Sequence, residues 1–404
     1  MVQQIIMNSG AGAPNGLSFG SIAPARGLSF DKQVDSSIEQ LCTFLFPEGK
    51  TRYFIVQQTF FIAAPSRQEF DSRSALIRER LADRCGSRLA PTCIVAQSPE
   101  EGSEVVLELI CSRVAKEKKV SYKSVNGLLY CVVDHGEFRV LHATGLTGDP
   151  GDSIQRSAEK AFEQARIILG SEGLSFGHIV RQWNYVEDIS RVENPVANVQ
   201  HYQVFNDVRS RFYGEGDFSK GYPAATGIGM STGGVVIGFI AVSDSEKVKV
   251  RPVKNPRQVD AHSYSKDVLV GKSTGVMAEK CTPKFERGKM VILGGRTHVY
   301  VSGTASIIGE KTMHPGDVKR QTITTIENIQ SLFSRENQEL LGVHFNFPEV
   351  RFSHLRVYVK HRDDIPEVKS ICESRLNFES SLYLESDICR EELLVEIEGI
   401  FSLY

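Results

Sequence analysis

The feature that most constrains the fold of this chain is an internal repeat of a helix followed by a strand. Pro150-Gly-Asp152 opens one predicted helix, and Pro315-Gly-Asp317 opens a second one. Each helix leads to an apolar segment, Phe176–Ile189 in the first copy and Phe352–Ile365 in the second, and these segments align without a gap. The matched block favours duplication, so we infer that one structural unit occurs twice in the chain.

Alternating apolar segments precede the helix in both copies. They cover Gly127–Thr144 in the first copy and Met290–Ile308 in the second. Alternation of apolar and polar residues indicates strands, which gives each copy the order β–β–α–β. A last alternating segment, Leu393–Ile400, predicts a strand near the end of the chain. The pattern predicts an α+β protein with mixed β-sheets, each covered on one face by helices.

The repeat and the composition together suggest three parts. Residues 1–30 are rich in Gly, Ser and Pro and predict a flexible leader that ends in a first strand. Residues 31–190 and 191–404 form the two predicted domains. The boundary lies in the segment that contains Pro195, after the first copy of the repeat.

Composition excludes several classes of protein. The 47 basic and 49 acidic residues give a net charge of −2, without the basic excess of a nucleic-acid-binding protein. The longest apolar run, Gly233–Val242, is too short to cross a membrane, and the N-terminus does not resemble a signal peptide. Eight cysteines without a CxxC pair and ten histidines without HxxxH spacing argue against disulfides and metal sites. We expect a cytoplasmic protein with reduced cysteines, no metal and no membrane partner.

A first candidate for ligand binding is the predicted helix Tyr202–Tyr213. At helical spacing, Tyr202, Asn206 and Arg209 share one face, and Tyr213 lies a turn beyond. Arginine forms forked, charge-assisted hydrogen bonds with carboxylates, so this stripe suits an anionic ligand. The alternative is that the stripe is simply a solvated surface.

A second candidate is the glycine-rich segment Tyr222–Gly234. Its spacing, Gly227-x-Gly229-x-x-x-Gly233, has one residue too many for a dinucleotide-binding loop, and a strand rather than a helix follows. We therefore reject dinucleotide binding. Two interpretations remain: a backbone that closely approaches a small ligand, or a plain hairpin turn.

A third candidate is the segment Val299–Glu310, whose small residues leave room beside an otherwise apolar strand. Thr304 and Ser306 offer hydroxyl groups next to that space. Partial burial would raise the pKa of the Glu310 carboxyl group and allow it to act as a general acid. The alternative is a solvated loop carboxylate.

Several segments together carry a resemblance to one family. They are Tyr202–Tyr213, Pro223–Gly229, Ser302–Glu310, Pro315–Ile329, Leu355–Lys360 and Cys389–Glu398. Their order and number resemble the chorismatases, a family of the RidA/YjgF-like superfamily, over about residues 125–404. The resemblance implies two RidA/YjgF-like (chorismate-mutase-like) domains, an active site in the C-terminal half, and no metal or organic cofactor.

The resemblance also implies an activity. Chorismatases cleave the enolpyruvyl ether of chorismate and release pyruvate, giving 3-hydroxybenzoate or a dihydroxycyclohexadiene carboxylate. Glu310 matches the family's acid, which protonates the enol methylene group. Arginines are expected to hold the two carboxylates, tyrosines to orient the ring, and the small residues Ala225 and Gly303 to influence the product. The substrate-binding residues implied in this way are Tyr202, Arg209, Arg211, Tyr213, Ala225, Thr226, Gly227, Arg287, Gly303 and Thr304.

Two other functions remain as alternatives. One is an enamine or imine deaminase of the same superfamily, which resembles this chain less well. Those enzymes carry an arginine four residues before the glutamate of the last strand, and this chain has Glu392 there. The other is a non-catalytic RidA-like protein that binds a small molecule. In each case we expect a small-molecule ligand, no nucleic-acid partner, and a monomer or weak oligomer.

Overall fold

The computed structural model describes residues 6–7, 17–24, 27–45, 53–85, 90–100, 102–113, 118–192, 199–270, 274–342 and 350–403. Within these ranges, three mixed β-sheets follow one another along the chain. Most of the predicted leader and the segment around Pro195 lie outside the described residues. None of the described helices is long and apolar enough to span a membrane.

The first sheet is built from the N-terminal part of the chain and has the strand order β1-β2-β6-β3-β4. Two helices, α1 and α2, pack their apolar side chains against it. Strand β5 leaves this sheet and joins the third one. The elements are β1 (Ile6–Met7), β2 (Leu17–Ile22), α1 (Phe30–Leu45), β3 (Tyr53–Ile62), α2 (Arg67–Cys85), β4 (Thr92–Val95), β5 (Ser98–Pro99) and β6 (Val105–Arg113).

The second sheet has the order β11-β10-β12-β9-β8-β7 and is covered by α3 and α4. The predicted start of α3 is confirmed: the Ser153 side chain accepts a hydrogen bond from the backbone amide of Arg156, which caps the helix. The elements are β7 (Lys119–Val125), β8 (Leu128–Asp134), β9 (Arg139–Thr147), α3 (Ile154–Ser171), β10 (Ile179–Glu187), α4 (His201–Tyr213), β11 (Ala224–Met230) and β12 (Val235–Val242).

The third sheet has the order β13-β14-β15-β21-β18-β20-β5, with β19 beside β18. Helices α5 and α7 cover it, and Asp317 caps α5 as Ser153 caps α3. The elements are β13 (Val248–Val253), β14 (Gly288–Leu293), β15 (Arg296–Ala305), β16 (Ile307–Ile308), β17 (Lys311–Thr312), α5 (Val318–Ser331), α6 (Arg335–Leu341), β18 (Arg351–Val359), α7 (Ile365–Arg375), β19 (Asn377–Phe378), β20 (Ser381–Glu385) and β21 (Val395–Leu403).

The three sheets share one topology. Strands β8-β9-β12-β10-β11 of the second sheet correspond to β14-β15-β21-β18-β20 of the third and to β1-β2-β6-β3-β4 of the first. In each sheet the last of these pairs is parallel, and a helix connects its two strands. The predicted α+β fold, with mixed sheets covered by helices, is therefore confirmed. The sequence repeat revealed two of the copies, and the first sheet is a third.

The gapless alignment of the repeated segments, however, is out of register. Phe176 lies in a short helical turn before β10, whereas Phe352 lies inside β18. Both strands contain a bulge, which makes Arg181 the equivalent of His354. The true correspondence is thus shifted by three residues from the predicted one. Because side chains alternate along a strand, this odd shift exchanges inward-facing and outward-facing positions.

The inner faces of the three sheets meet in one apolar core. Equivalent aromatic residues come together there, Phe61 from β3, Tyr185 from β10 and Tyr358 from β18. The rings of Phe61 and Tyr185 lie 6.2 Å apart, nearly perpendicular to each other. The domain boundary predicted near residue 190 falls between β10 and β11, which pair with each other. The division into two domains stays a prediction.

A buried ionic network lies where the three sheets meet. The Arg356 guanidinium of β18 binds both carboxylate oxygens of Glu108 from β6, and its Nη1 lies 3.2 Å from Oε1 of Glu398 on β21. His354 Nε2 lies 2.7 Å from Oε1 of Glu108. Burial alone would raise the pKa of Glu108, but Arg356 and His354 outweigh it and lower this pKa to about 2. This network ties the first sheet to the third.

Candidate active site

One cavity lies between the second and third sheets and opens to the solvent. Helix α4 and strand β11 form one wall, strands β15 and β21 form the other, and the segment between β13 and β14 covers it. The lining residues are Gln200, Tyr202, Gln203, Asn206, Ala225, Gly227, Tyr264, Val268, Leu269, Val270, Pro283, Phe285, Arg287, Gly303, Ala305, Ile307, Cys389, Arg390, Leu393 and Glu396.

Glu396 of β21 is the carboxylic acid of this cavity. Its side chain is buried, and the carboxyl group lies directly over Gly303, where any side chain would collide with it. Burial raises the pKa of Glu396 to about 8, helped by the charge of Glu398 and only partly offset by Arg181 and Arg287. A carboxyl group with such a pKa keeps its proton at neutral pH and can act as a general acid.

Glu310, the acid predicted from the sequence, lies in the turn between β16 and β17 and is not among the residues that line the cavity. Its carboxylate accepts hydrogen bonds from the backbone amide of Ser265 (2.9 Å) and from the Ser265 hydroxyl (2.7 Å). These bonds lower the pKa of Glu310, which favours the ionised form. The structure therefore does not support Glu310 as the proton donor.

Five of the predicted substrate-binding residues line the cavity: Tyr202, Ala225, Gly227, Arg287 and Gly303. Gly227 leaves the space that the ring of Tyr202 fills, since a Cβ atom there would lie 2.9 Å from Cε2 of the tyrosine. Arg287 is the buried cation of the site, and its guanidinium donates hydrogen bonds within the segment that covers the cavity. These residues give the cavity a cationic anchor beside a protonated acid.

Two predicted arginines of α4 lie outside the cavity. Arg209 is fully buried behind Asn206, and its Nη2 donates a 2.6 Å hydrogen bond to the side chain of that residue, which does line the cavity. Arg211 points towards α3 and pairs with Glu159 at 3.1 Å. Arg211 does not line the cavity, because residues two positions apart on a helix, such as Arg209 and Arg211, face different directions; its contact with a ligand stays a prediction.

Three further predicted residues face away from the cavity. The Tyr213 hydroxyl donates a 2.6 Å hydrogen bond to Gln182 inside the aromatic core of the second sheet. Thr226 and Thr304 alternate with the lining residues of their strands. Thr226 donates to Glu398, and the Thr304 hydroxyl donates to a backbone carbonyl of its own strand. These three residues do not line the cavity, and they contact it only through neighbouring residues.

The structure of the glycine-rich segment Tyr222–Gly234 agrees in part with each of the two interpretations that the sequence left open. Residues 224–230 form β11, whose backbone lines the cavity at Gly227. Only the last four residues form a turn, where the amides of Gly233 and Gly234 donate to Oε2 of Glu187. The prediction of a turn was therefore wrong for most of the segment.

The cleft with Glu396 differs from the equivalent places in the other two sheets. The three sheets can be aligned by the bulge that each has in one pair of strands. In this alignment, the residues equivalent to Glu396 are Val106 in the first sheet and Val236 in the second. In the cleft between the third and first sheets, Tyr383 takes the place of Gly227. Among the described residues, the carboxylic acid of Glu396, the cation of Arg287 and the open space at Gly227 thus occur together in the cleft between the second and third sheets.

A separate polar group lies beside the cavity, where potential ligand atoms of Asp260, His262 and Glu286 are within 4.8 Å of one another. Glu286 accepts a hydrogen bond from the backbone amide of Tyr222, and Lys254 lies 3.6 Å from Asp260. These contacts explain the group as an ion-pair cluster that fastens the covering segment.

Comparisons with known proteins place this geometry in context. The family model for the N-terminal part of FkbO/Hyg5-like chorismatases matches residues 112–241. A 3-hydroxybenzoate synthase of Streptomyces hygroscopicus is 32% identical over 238 residues, which cover 57% of this chain and 65% of that protein, just under two thirds of its length. A chorismatase of the same species is 30% identical over 285 residues, covering 69% of this chain and 75% of that protein. A chorismatase crystal structure has a similar fold, with a TM-score of 0.63 at 24% identity, covering 86% of this chain and 93% of that one.

Proposed function

Because the chain belongs to the chorismatase family, we propose that it converts chorismate and releases pyruvate from it. The observation that carries this proposal is the buried carboxyl group of Glu396, whose pKa burial raises to about 8, in a cavity that also contains Arg287. Chorismate is a dianion with an enolpyruvyl ether, so it needs both a cationic anchor and a proton donor. In this proposal Glu396 takes the role that the sequence suggested for Glu310.

The reaction begins with transfer of the Glu396 proton to the methylene carbon of the enolpyruvyl group. The electron pair of the carbon–carbon double bond forms the new C–H bond, and positive charge develops at the ether carbon. In hydrolysis, water attacks that carbon and gives a proton to the Glu396 carboxylate; the hemiketal then collapses, its bond to the ring oxygen breaks, the hemiketal hydroxyl proton passes to that oxygen, and pyruvate leaves. In the alternative course, the neighbouring ring hydroxyl loses its proton and attacks the ring carbon that carries the ether; the bond from this ring carbon to the ether oxygen breaks, and pyruvate leaves with that oxygen as its carbonyl oxygen. In both courses the carboxylate of Glu396 takes up a proton again. Arg287 and Arg390, which line the cavity, hold the carboxylates of the substrate throughout.

The direct test is to incubate the purified protein with chorismate and to measure pyruvate with lactate dehydrogenase. We expect one pyruvate for each chorismate consumed. Chromatography of the second product distinguishes 3-hydroxybenzoate from a dihydroxycyclohexadiene carboxylate. A folded protein that releases no pyruvate between about pH 6 and 8, where the acid is protonated, would overturn the proposal.

Gly303 should be essential for the position of the acid. Gly303→Val places a branched side chain where the Glu396 carboxyl group lies, so the acid must move away from the substrate. A displacement of about 1 Å can lower a rate about a hundredfold, and we expect a loss of at least that size in kcat. Gly170→Val is the matched control, because Gly170 is exposed on α3 with open space beside it. An unchanged kcat in Gly303→Val would contradict the arrangement.

We also propose that the protein is monomeric and cytoplasmic. The inner faces of its three sheets cover one another within one chain, which supports a monomer. The described cysteines are all free thiols, which suits a reducing compartment. Light scattering should give a molar mass near 44.9 kDa, and a multiple of this mass would argue against the monomer.

A further inference from the structure

We propose that Glu398 is a positioning residue that keeps Glu396 in its protonated form within the cleft. The two residues are separated by one position on β21 and therefore lie on the same face of the strand. Glu396 faces the cavity, whereas Glu398 lies deeper, in the buried network where the sheets meet. This inference rests on the proposed function, because it concerns the acid of that reaction.

Glu398 is held as a carboxylate by four donors. Its Oε2 accepts hydrogen bonds from Nη2 of Arg181 (2.6 Å) and from the hydroxyl of Thr226, and its Oε1 accepts one from Nε1 of Trp183 (2.8 Å). The Nη1 atom of Arg356 lies 3.2 Å from the same Oε1. Burial would raise the pKa of Glu398, but these partners outweigh it and lower the pKa. Glu398 is thus a fixed negative charge beside the acid.

Burial, together with the charges of the network, favours the protonated form of Glu396. The guanidinium groups of Arg181 and Arg356 contact Glu398 and Glu108, so two cations already have two carboxylate partners. Ionised Glu396 would add a third negative charge in the same buried region. A further buried charge is costly; although Arg287 favours the ionised form of Glu396, burial and the charge of Glu398 outweigh it, so the carboxyl group binds a proton.

The other groups around Glu396 do not provide a competing negative charge. Arg287, like Arg181, lowers the pKa of Glu396, but burial and the charge of Glu398 outweigh both arginines. Burial raises the pKa of the Cys389 thiol to about 12, which keeps it neutral. The titratable groups that line the cavity with Glu396 are Tyr202, Tyr264, Arg287, Cys389 and Arg390. Among the described residues of the cavity and of its floor, Glu398 is therefore the carboxylate that acts on the acid.

Thr226 adds a mechanical link between the two glutamates. Its hydroxyl donates to Glu398 and also accepts a 3.1 Å hydrogen bond from the backbone amide of Gly303. The Glu396 carboxyl group lies over Gly303. Thr226, the hydrogen-bond partner of Glu398, thus also holds the backbone of Gly303, over which the Glu396 carboxyl group lies.

The test is the dependence of kcat on pH for the wild type and three variants. An acid catalyst is active below its pKa, so wild-type kcat should fall as the pH rises through about 8. Glu398→Gln removes the neighbouring negative charge and lowers the pKa of Glu396. We expect its alkaline limb to move towards acid pH by at least about one unit, with activity recovered at lower pH. Glu398→Asp keeps the charge and should leave the limb close to that of the wild type. Glu392→Gln, an exposed change four residues before Glu396, should not move it.

A different result in Glu398→Gln would overturn the inference. If kcat falls by one factor at every pH and the limb stays in place, Glu398 has only a structural role. If Glu398→Gln does not fold, infrared spectra of the wild type and of Glu396→Gln decide. We expect a carboxylic acid band in the wild type at neutral pH, and we expect the Glu396→Gln variant to lack it. A wild-type spectrum without this band contradicts the inference. Wild-type protein without pyruvate release would instead contradict the proposed function, so the two failures are distinguishable.

Discussion

Glu396→Gln is expected to lower kcat for pyruvate release by about a thousandfold, within the range that general acid catalysis contributes. The amide has nearly the same shape as the protonated carboxyl group, but it has no acidic proton to give to the methylene carbon. Because the protonated acid carries no charge, the change should not disturb the buried network, and the variant should fold normally. The measurement is kcat from the lactate dehydrogenase assay, with circular dichroism to confirm folding.

Glu310→Gln is the matched control for this prediction. A glutamine at this position keeps one acceptor oxygen for the two donors of Ser265, and Glu310 is not among the lining residues of the cavity. We therefore expect kcat within about tenfold of the wild type, well short of the loss of a general acid. The opposite ranking, with Glu310→Gln inactive and Glu396→Gln active, would show that the acid was assigned to the wrong residue.

Arg356→Met should destabilise the folded protein by about 3–5 kcal/mol, the usual effect of removing one partner of a buried ion pair. The guanidinium binds both oxygens of Glu108, and both side chains are almost fully buried. Without it, the Glu108 carboxylate is left in the core with His354 as its remaining partner. Unfolding in urea, followed by circular dichroism, measures the loss. Glu108→Gln in the same chain should recover part of it.

The same pair predicts a dependence of stability on pH. The pKa of Glu108 is about 2 in the folded protein and 4.5 for a free glutamate, as in the unfolded chain, so its stabilisation is present above about pH 4.5 and is lost as the pH falls towards 2. This acid-sensitive part should be missing in Arg356→Met. Arg211→Met, which breaks the half-exposed pair with Glu159, should cost at most about 1 kcal/mol. Equal losses in the two variants would contradict the ionic network.

The sequence predicted the elements of the fold because periodicity and helix caps are local. The helix that starts after Ser153, the helix that starts after Asp317 and the last strand all lie where they were predicted. The register of the repeat was wrong because the alignment matched similar residues, such as Phe176 with Phe352 and His178 with His354, whereas the pairing of the strands makes Arg181 the equivalent of His354. The third copy was missed because the first sheet has the topology of the other two sheets, but its sequence contains no segment that matches the repeated block.

The sequence predicted only part of the site, because its signals are local and the site forms where two sheets pack together. Gly227 and Gly303 stood out because small residues in an apolar strand indicate space. Glu396 was not predicted as the acid, since Cys389–Glu398 served only to carry the resemblance and to predict a strand, although two glutamates on one face of an otherwise apolar strand were a signal. That face becomes part of a cavity only when the third sheet packs against the second. Arg211 was named from the resemblance alone, and in the structure it lies outside this cavity.

The most direct measurement is a structure of Glu396→Gln with chorismate bound. The account predicts that chorismate lies between the second and third sheets, with one carboxylate on Arg287. It also predicts that the enolpyruvyl methylene carbon lies within about 3.5 Å of the side chain at position 396, the distance required for reaction. Chorismate bound in another cleft, or with its methylene group beside Glu310, would contradict the account.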